Sequence, residues 1–322
     1  MFKIVYILIS NGNDAYYNQL LISLRTLRAR MKNIPVIVLS DIETKRNIES
    51  MDEAEILKLA QVHGVEIKGE YSKKEKSRYI KTSFRNILSG DLLFIDCDTA
   101  ICEDFSSYYN EDALAMVDDE NTCFSQHLDR EVIEKENKKL SFVIDGYKNY
   151  YNSGVIWVRD LPETRKFFKY WHMYWKKELQ YGDCLDQPPL NYVNEKIMPL
   201  ISKLPVIWNC QVSSSPSGVQ YLSDAYIIHY YNFNSGAYML ANREFVLNNM
   251  NSTVMQKIIE NPRAAFIDST ISPHHNELGA FMYTKTFRLV FYIFKNFKNF
   301  FYAINIVASI PFVIKKMKKA SD

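Results

Sequence analysis

Cysteine is scarce in these 322 residues: Cys97, Cys102, Cys123, Cys184 and Cys210 are the only five, and no two form a C-x-x-C pair. An odd, scattered set provides neither a disulfide framework nor a zinc site, and it fits a reducing compartment. Long hydrophobic runs are missing too. The first apolar stretch, Ile4 to Ile9, gives way to Ser10-Asn11-Gly12-Asn13-Asp14, too short for a signal-peptide core and without a small-residue cleavage site. The uncharged run 299–314 has 16 residues and contains Asn305 and Pro311, short of the roughly 20 that a spanning helix needs. No internal repeat or linker interrupts the chain. A composition of 47% hydrophobic and 24% charged residues excludes disorder, collagen-like repeats and a polytopic membrane protein.

Acidic residues are absent from one segment. Between Leu278 and Ser321 stand eight Lys/Arg and no Asp or Glu, so the segment ending at Asp322 carries +7 and the preceding 277 residues −5, a contrast hidden in the overall +2. The expected organisation is one domain over 1–277 followed by a basic segment, 278–322.

The first hundred residues alternate strand and helix patterns. Strands are expected at Lys3–Ile9, Pro35–Leu39, Val65–Ile67 and Leu92–Ile95, with helices at Ala15–Arg30, Glu43–Val62 and Lys81–Leu88. Continuous apolar strands separated by helices predict an α/β protein with a mostly parallel central sheet covered on both faces. Ligands of such sheets bind at the carboxyl ends of the strands, where Ser10–Asp14 and Asp96–Asp98 fall. The second half predicts strands at Ala113–Val117, Tyr151–Val158 and Tyr226–His229, helices at Pro162–Leu179 and Asp186–Val193, and a loop at Ser213–Gly218.

The sharpest local feature is Phe94-Ile95-Asp96-Cys97-Asp98. Aspartates at i and i+2 leaving a buried strand project to one side and can share a hard divalent cation, although the same pair would also serve a strand end and its turn. If His229, which closes Tyr226-Ile227-Ile228, joined them, the nitrogen donor would favour Mn²⁺ over Mg²⁺; a structural histidine is the other reading. Asn152-Ser153-Gly154 opens a buried strand, either as a turn or with an amide for a ligand hydroxyl. Asp186-Gln187-Pro188-Pro189 reads as an Asp-capped helix start or as a carboxylate and amide facing a polyol. In Ser77-Arg78-Tyr79-Ile80-Lys81-Thr82, Lys81 could meet the aspartates or a phosphate.

The order of these motifs, from Asn13-Asp14-Ala15-Tyr16 through Tyr79-Ile80-Lys81-Thr82, Asp96-Cys97-Asp98, Asn152-Ser153-Gly154 and Asp186-Gln187 to Ile228-His229-Tyr230, resembles the retaining nucleotide-sugar glycosyltransferases of the glycogenin and bacterial lipopolysaccharide galactosyltransferase type, family eight. The resemblance spans about Lys3 to Asn232. It implies a GT-A fold, a UDP-sugar donor and a glycan or glycolipid acceptor, as in lipopolysaccharide or polysaccharide biosynthesis. It further implies a metal site, for Mn²⁺ or alternatively Mg²⁺, at Asp96, Asp98 and His229. Donor contacts are implied from Ser10, Asn13, Asp14, Tyr16, Lys81, Asp96, Cys97, Asn152, Ser153, Asp186 and Gln187, with Asp186, Gln187 and Lys81 nearest the chemistry. Two departures stand out. Tyr230-Tyr231-Asn232-Phe233-Asn234-Ser235-Gly236 lacks the Lys that the family commonly places after its histidine, and Pro188 stands where relatives often have a second acid.

Two other readings compete. A Mg²⁺ phosphohydrolase of the haloacid dehalogenase type would use Asp96 as nucleophile, Asp98 as acid/base and Asp118-Asp119 as metal ligands, but its signature normally opens a domain and here follows some 90 residues. A noncatalytic glycan-binding protein would have no need of Asp96 and Asp98. A nucleotidyltransferase is disfavoured because Ile9 to Tyr16 holds one glycine and no base. The tail interleaves Phe287, Phe291, Phe294 and Phe300 with Lys285, Arg288, Lys295 and Lys298 before Lys315, Lys316, Lys318 and Lys319. Such an amphipathic helical segment suits an anionic membrane surface better than nucleic acid, with a helix packed on the body as the alternative. The expected location is cytoplasmic, peripheral at the inner face of the membrane; the oligomeric state stays open.

Overall fold

Period-two alternation in the first strand sets up two hydrophobic layers. In β1 (Lys3–Ile7) Ile4 and Tyr6 pack into one buried cluster, Val5 and Ile7 into another, so the strand has no solvent face. The computed structural model describes positions 2–267 except 13, 128, 141, 145–148, 213–217 and 232–238, and beyond 267 only 289, 290, 293, 297 and 300. The chain divides into two units, Met1–His275 and Asn276–Asp322. Most of the tail, and the predicted loop Ser213–Gly218 up to position 217, lie outside the described residues.

In the first unit, β1 pairs in parallel with β2 (Val36–Asp41) and β4 (Leu92–Ile95), and β2 with β3 (Gln61–Val65). Beyond β4 the sheet continues through β7 (Tyr151–Val158), antiparallel to both β4 and β6 (Leu114–Asp118), and ends at β8 (Ile201–Lys203), parallel to β6. The order is β3-β2-β1-β4-β7-β6-β8. A second sheet joins β5 (Thr99–Ile101), β10 (Ile227–His229) and β9 (Cys210–Gln211).

Helices cover both faces of the large sheet. On one, α1 (Ala15–Arg30) contributes Leu20, Leu24 and Leu27, beside α2 (Ile42–Glu49) and α3 (Glu55–Leu59), with α9 (Arg243–Asn249) and α10 (Thr253–Glu260) packed on α1 and α11 (Ala264–Ile267) on α10. On the other, α4 (Lys73–Lys81), α5 (Phe84–Ile87), α7 (Pro162–Leu179) and α8 (Gln187–Tyr192) bury Ile80, Phe84, Phe167, Phe168, Trp171 and Leu190 against the strands, and α6 (Arg130–Lys139) lies against α8. Each of these large side chains contributes on the order of 1.5–3 kcal/mol by leaving water.

Two expectations are corrected and one open alternative is decided. The predicted helix over Glu43–Val62 is two helices, broken around Glu53 at a left-handed φ of 53°, and Gln61-Val62 already belong to β3. The apolar spacing misled because Ile48 and Ile56, on separate helices, bury into the same cluster. The helix predicted over Lys81–Leu88 starts earlier: Ser72 and Glu75 form a reciprocal cap for α4, which ends at Lys81, and α5 is a separate turn. Asp186 stands at the start of α8 but makes no capping bond. Its carboxylate is used elsewhere, as described below.

Trp171 ties α7 to that same segment, its indole N–H donating to the Asp186 carbonyl at 2.7 Å. Trp171→Phe keeps the aromatic packing and strips a buried carbonyl of its donor, so it should lower stability by about 1–3 kcal/mol, read from the urea midpoint.

Candidate active site

The buried strand β4 delivers Asp96 to the carboxyl edge of the sheet, where its N–H donates to the Gly154 carbonyl at 2.8 Å and prolongs the pairing with β7. Three residues after Asp96 β5 begins, pairing antiparallel with β10 so that His229 lies opposite Thr99, and the Tyr230 N–H donates to the Asp98 carbonyl at 3.0 Å. This crossing from one sheet to the other brings Asp96, Asp98 and His229 together, with one ligand atom of each within 4.8 Å of the others. His229 Nε2 stands 3.2 Å from Asp98 Oδ1. Among the described residues this is the one group of three or more such side chains able to share a metal.

Glycine is required beside it. A Cβ on Gly154 would lie 2.3 Å from His229 Cε1 and 2.6 Å from Nδ1, so the imidazole occupies the space a side chain would fill.

Lys81, at the last turn of α4 and only 2% exposed, places Nζ at 3.1 and 2.9 Å from the two oxygens of Asp96 and 3.4 Å from Asp186. Arg78, one turn earlier on the same helix, reaches Asp186 Oδ1 with Nε at 2.8 Å, and the Ser153 hydroxyl donates to Oδ2 at 2.7 Å. Burial alone would raise the Asp186 carboxyl, but Arg78 and Lys81 outweigh it and hold the group ionised well below the usual range. Burial raises Asp96 despite Lys81, whereas for Asp98 the charge and hydrogen bond of His229 overcome burial and lower it. Three carboxylates thus face two permanent cations, Arg78 and Lys81, with the His229 imidazole as a further group able to carry positive charge.

Asp119, just after β6, anchors the opposite wall. Its Oδ1 accepts from Asn152 Nδ2 at 2.7 Å, and its Oδ2 from Gln187 Nε2 at 2.6 Å and His127 Nε2 at 3.1 Å. The turn that carries it is held in unusual geometry, with Glu120 and Asn121 at φ 51° and 53°. It is stitched to β9 by Gln211, whose Oε1 accepts from the Glu120 N–H and whose own N–H donates to Asn121 Oδ1, both at 2.7 Å. Between the two walls lies a cleft of about 340 Å³, lined by Arg78, Lys81, Asp96, Asp98, Asp119, Asn152, Ser153, Asp186, Gln187 and His229, with Val132 and Ile133 of α6 at its side.

The remaining predicted contacts sit elsewhere. Ser10 is folded into the turn after β1, its N–H donating to Thr44 Oγ1 and its Oγ accepting from the Gly12 N–H, both at 3.0 Å. Asp14 caps α1 by accepting from the Tyr17 N–H at 3.0 Å, and Tyr16 is 62% exposed. None of these three lines the cleft, and Asn13 lies outside the described residues. The Cys97 thiol donates to the Ile7 carbonyl at 3.1 Å, and burial raises its pKa well above the ordinary value. In the sequence Arg78 stands out only as the neighbouring cation of the Lys81 motif, Asn209 does not stand out at all, and Asp119 does so only as a phosphatase ligand. Asp119 was accessible by the same logic as Asp96, a carboxylate just past a buried strand, whereas Asn209 has no local signature. Asp118, the other proposed phosphatase ligand, pairs with Lys203.

The sequence pattern of the nucleotide-diphospho-sugar transferases matches residues 88–258, just over half of the chain and including the whole Asp96-Asp98-His229 group. The protein belongs to this family. As a glycosyltransferase it shares its fold with the galactosyltransferase LgtC solved with donor and acceptor sugar analogues, at 13% identity and a TM-score of 0.50 over 80% of this chain and 95% of LgtC. The apo form of the glycosyltransferase GlyE from Streptococcus pneumoniae TIGR4 is 14% identical with a TM-score of 0.50, over 81% of this chain and 63% of GlyE. No curated protein matches by sequence. Family membership replaces the phosphohydrolase and noncatalytic readings and confirms the GT-A architecture.

Two outcomes test this geometry. Gly154→Ala should drive the His229 ring away from Asp98, seen in a crystal structure of the variant; an unchanged 3.2 Å separation would refute the steric role. Burial acts to lower His127, but Asp119 and Glu120 outweigh it and raise the pKa above 6.5. Its protonated form therefore adds stability that is complete below the unfolded value and lost as pH rises through the folded one. The melting-temperature difference between the native protein and His127→Gln should shrink from about pH 6 to about pH 8.5.

Proposed function

We propose that this glycosyltransferase moves a hexosyl group from a UDP-sugar with retention of configuration, using a divalent cation held by Asp96, Asp98 and His229, Mn²⁺ in preference to Mg²⁺. The observation that carries the reading is the convergence of two carboxylates and one imidazole at the carboxyl edge of the sheet. The donor set fits: oxygen and borderline nitrogen ligands suit Mn²⁺, and three carboxylates face only two permanent cations. When bound, the cation supplies positive charge to the departing diphosphate.

The chain's own groups then divide the work. Lys81 neutralises Asp96 and Asp186 from within the wall and fixes the spacing between metal side and sugar side. Asp186, with both oxygens already engaged, is a poor nucleophile and suits orientation of the donor sugar together with Ser153. Gln187, an amide tied to Asp119, is no better a nucleophile. These constraints favour same-face attack, in which the acceptor hydroxyl passes its proton to the leaving phosphate oxygen. Ser10, Asp14 and the exposed Tyr16, at the carboxyl end of β1, are assigned to the uridine side of the donor.

The domain assigned to transfer is 1–277, and 278–322 is assigned to the membrane surface. There its bases would meet anionic headgroups and its aromatics the acyl boundary, holding the cleft beside a lipid-linked or cell-surface glycan on the cytoplasmic side. No helix among the described residues is long and apolar enough to cross a membrane.

Asp96→Asn and Asp98→Asn should each weaken Mn²⁺-dependent UDP binding by about 100-fold or more in calorimetric titration while melting near the native temperature. Native-like Mn²⁺-dependent turnover in both would sink the metal assignment. His229→Ala should cost more affinity for Mn²⁺ than for Mg²⁺. Removing 278–322 should abolish sedimentation with anionic vesicles at low salt and leave UDP-sugar hydrolysis in place.

A further inference from the structure

His229 shows one ring nitrogen to Asp98 and the other to Asn209, and the polarity of the hydrogen bonds behind Asn209 can be read from a fixed point. The Gly154 backbone N–H can only donate, and it reaches Asn152 Oδ1 at 2.8 Å. That settles the orientation of the Asn152 amide, whose Nδ2 accordingly faces the Asp119 carboxylate at 2.7 Å. Asn209 Nδ2 donates to the same Asn152 oxygen at 2.9 Å, which turns Asn209 Oδ1 toward His229 Nδ1 at 3.0 Å. An amide oxygen only accepts, so Nδ1 carries the proton.

We propose that Asn209, aligned by Asn152 and Asp119, is a positioning residue that fixes the His229 proton on Nδ1 and leaves Nε2 as the ligand atom. The inference rests on the metal-dependent reading given above. Metal-bound histidines generally donate their second ring N–H to an oxygen that sets tautomer and ring angle. Here that oxygen belongs to a fully buried side chain, at 0% exposure, so water has no ready access to take its place. The backbone of Asn209 is held as well, its carbonyl accepting from Asn121 Nδ2 at 2.8 Å. Because Asp119 also accepts from Gln187, one carboxylate orients the nitrogen donor of the metal group and an amide of the sugar side.

The test reads the proton directly. Long-range ¹H–¹⁵N spectra of the full-length, metal-free protein, with His229 assigned by comparison with His229→Gln among the six histidines, report which ring nitrogens carry protons. The native protein should show Nδ1–H. Asn209→Leu should yield mixed tautomers and weaken Mn²⁺ about 10-fold by calorimetry, whereas Asn209→Asp, which keeps an acceptor at Nδ1, should retain Nδ1–H and bind Mn²⁺ more tightly than the leucine variant. A native ring whose Nδ1 lacks a proton overturns the proposal whether or not any variant folds. So does an Asn209→Leu protein that keeps Nδ1–H and native Mn²⁺ affinity. Failure of the native protein to bind Mn²⁺ while its ring stays Nδ1–H would overturn the metal reading and uphold the proton assignment.

Discussion

A charge taken out of water needs an opposite charge close by, and in this protein Lys81 meets that demand for two carboxylates at once. Asp96 sits at the end of a fully buried strand and Asp186 at the start of a buried helix, positions where an unpaired charge costs several kcal/mol. A lysine bridging them turns two liabilities into a single rigid wall. The rest of the site is built outward from it: Arg78 and Ser153 complete Asp186, leaving the Asp98 and His229 side open to a further positive partner.

Helix α4 makes this possible. Its reciprocal cap at Ser72 and Glu75 fixes where the helix begins, and Lys81 follows Arg78 by three positions, which puts both cations on one face directed at the sheet edge. The same helix buries Ile80 against the sheet, so the hydrophobic contact that docks it also sets the reach of its two bases. On the other wall the polar side chains are arranged through Asp119, which holds Asn152, Gln187 and His127 together. The walls therefore differ in kind, one built from ion pairs and the other from amide hydrogen bonds.

The small sheet β5-β10-β9 gives the fold its functional consequence. It takes the chain directly from the D-x-D turn into pairing with a segment some 130 residues later, so His229 arrives beside Asp98 by backbone register. A register slip by one residue would turn the imidazole to the other face.

By itself the sequence determined the elements with strong periodicity and the residues with local signatures. Helices Ala15–Arg30 and Pro162–Leu179 and the strand Tyr151–Val158 follow from their apolar spacing, and Asp96-Asp98 from its place after a buried strand. It could not divide Glu43–Val62, because residues on two helices can bury in one cluster and imitate a single face. It left Asp186 between a helix cap and a carboxylate facing a polyol, because a carboxylate before two prolines carries both local readings, and only the folded chain gave it Arg78, Lys81 and Ser153 as partners. Tertiary structure alone decided that Asp119 would serve three partners, that Gly154 must lack a side chain because an imidazole from a distant strand fills its space, and that Asn209 would face His229. Each of these depends on contacts between residues far apart in the chain, and a linear pattern carries no record of which distant partner a polar side chain will meet.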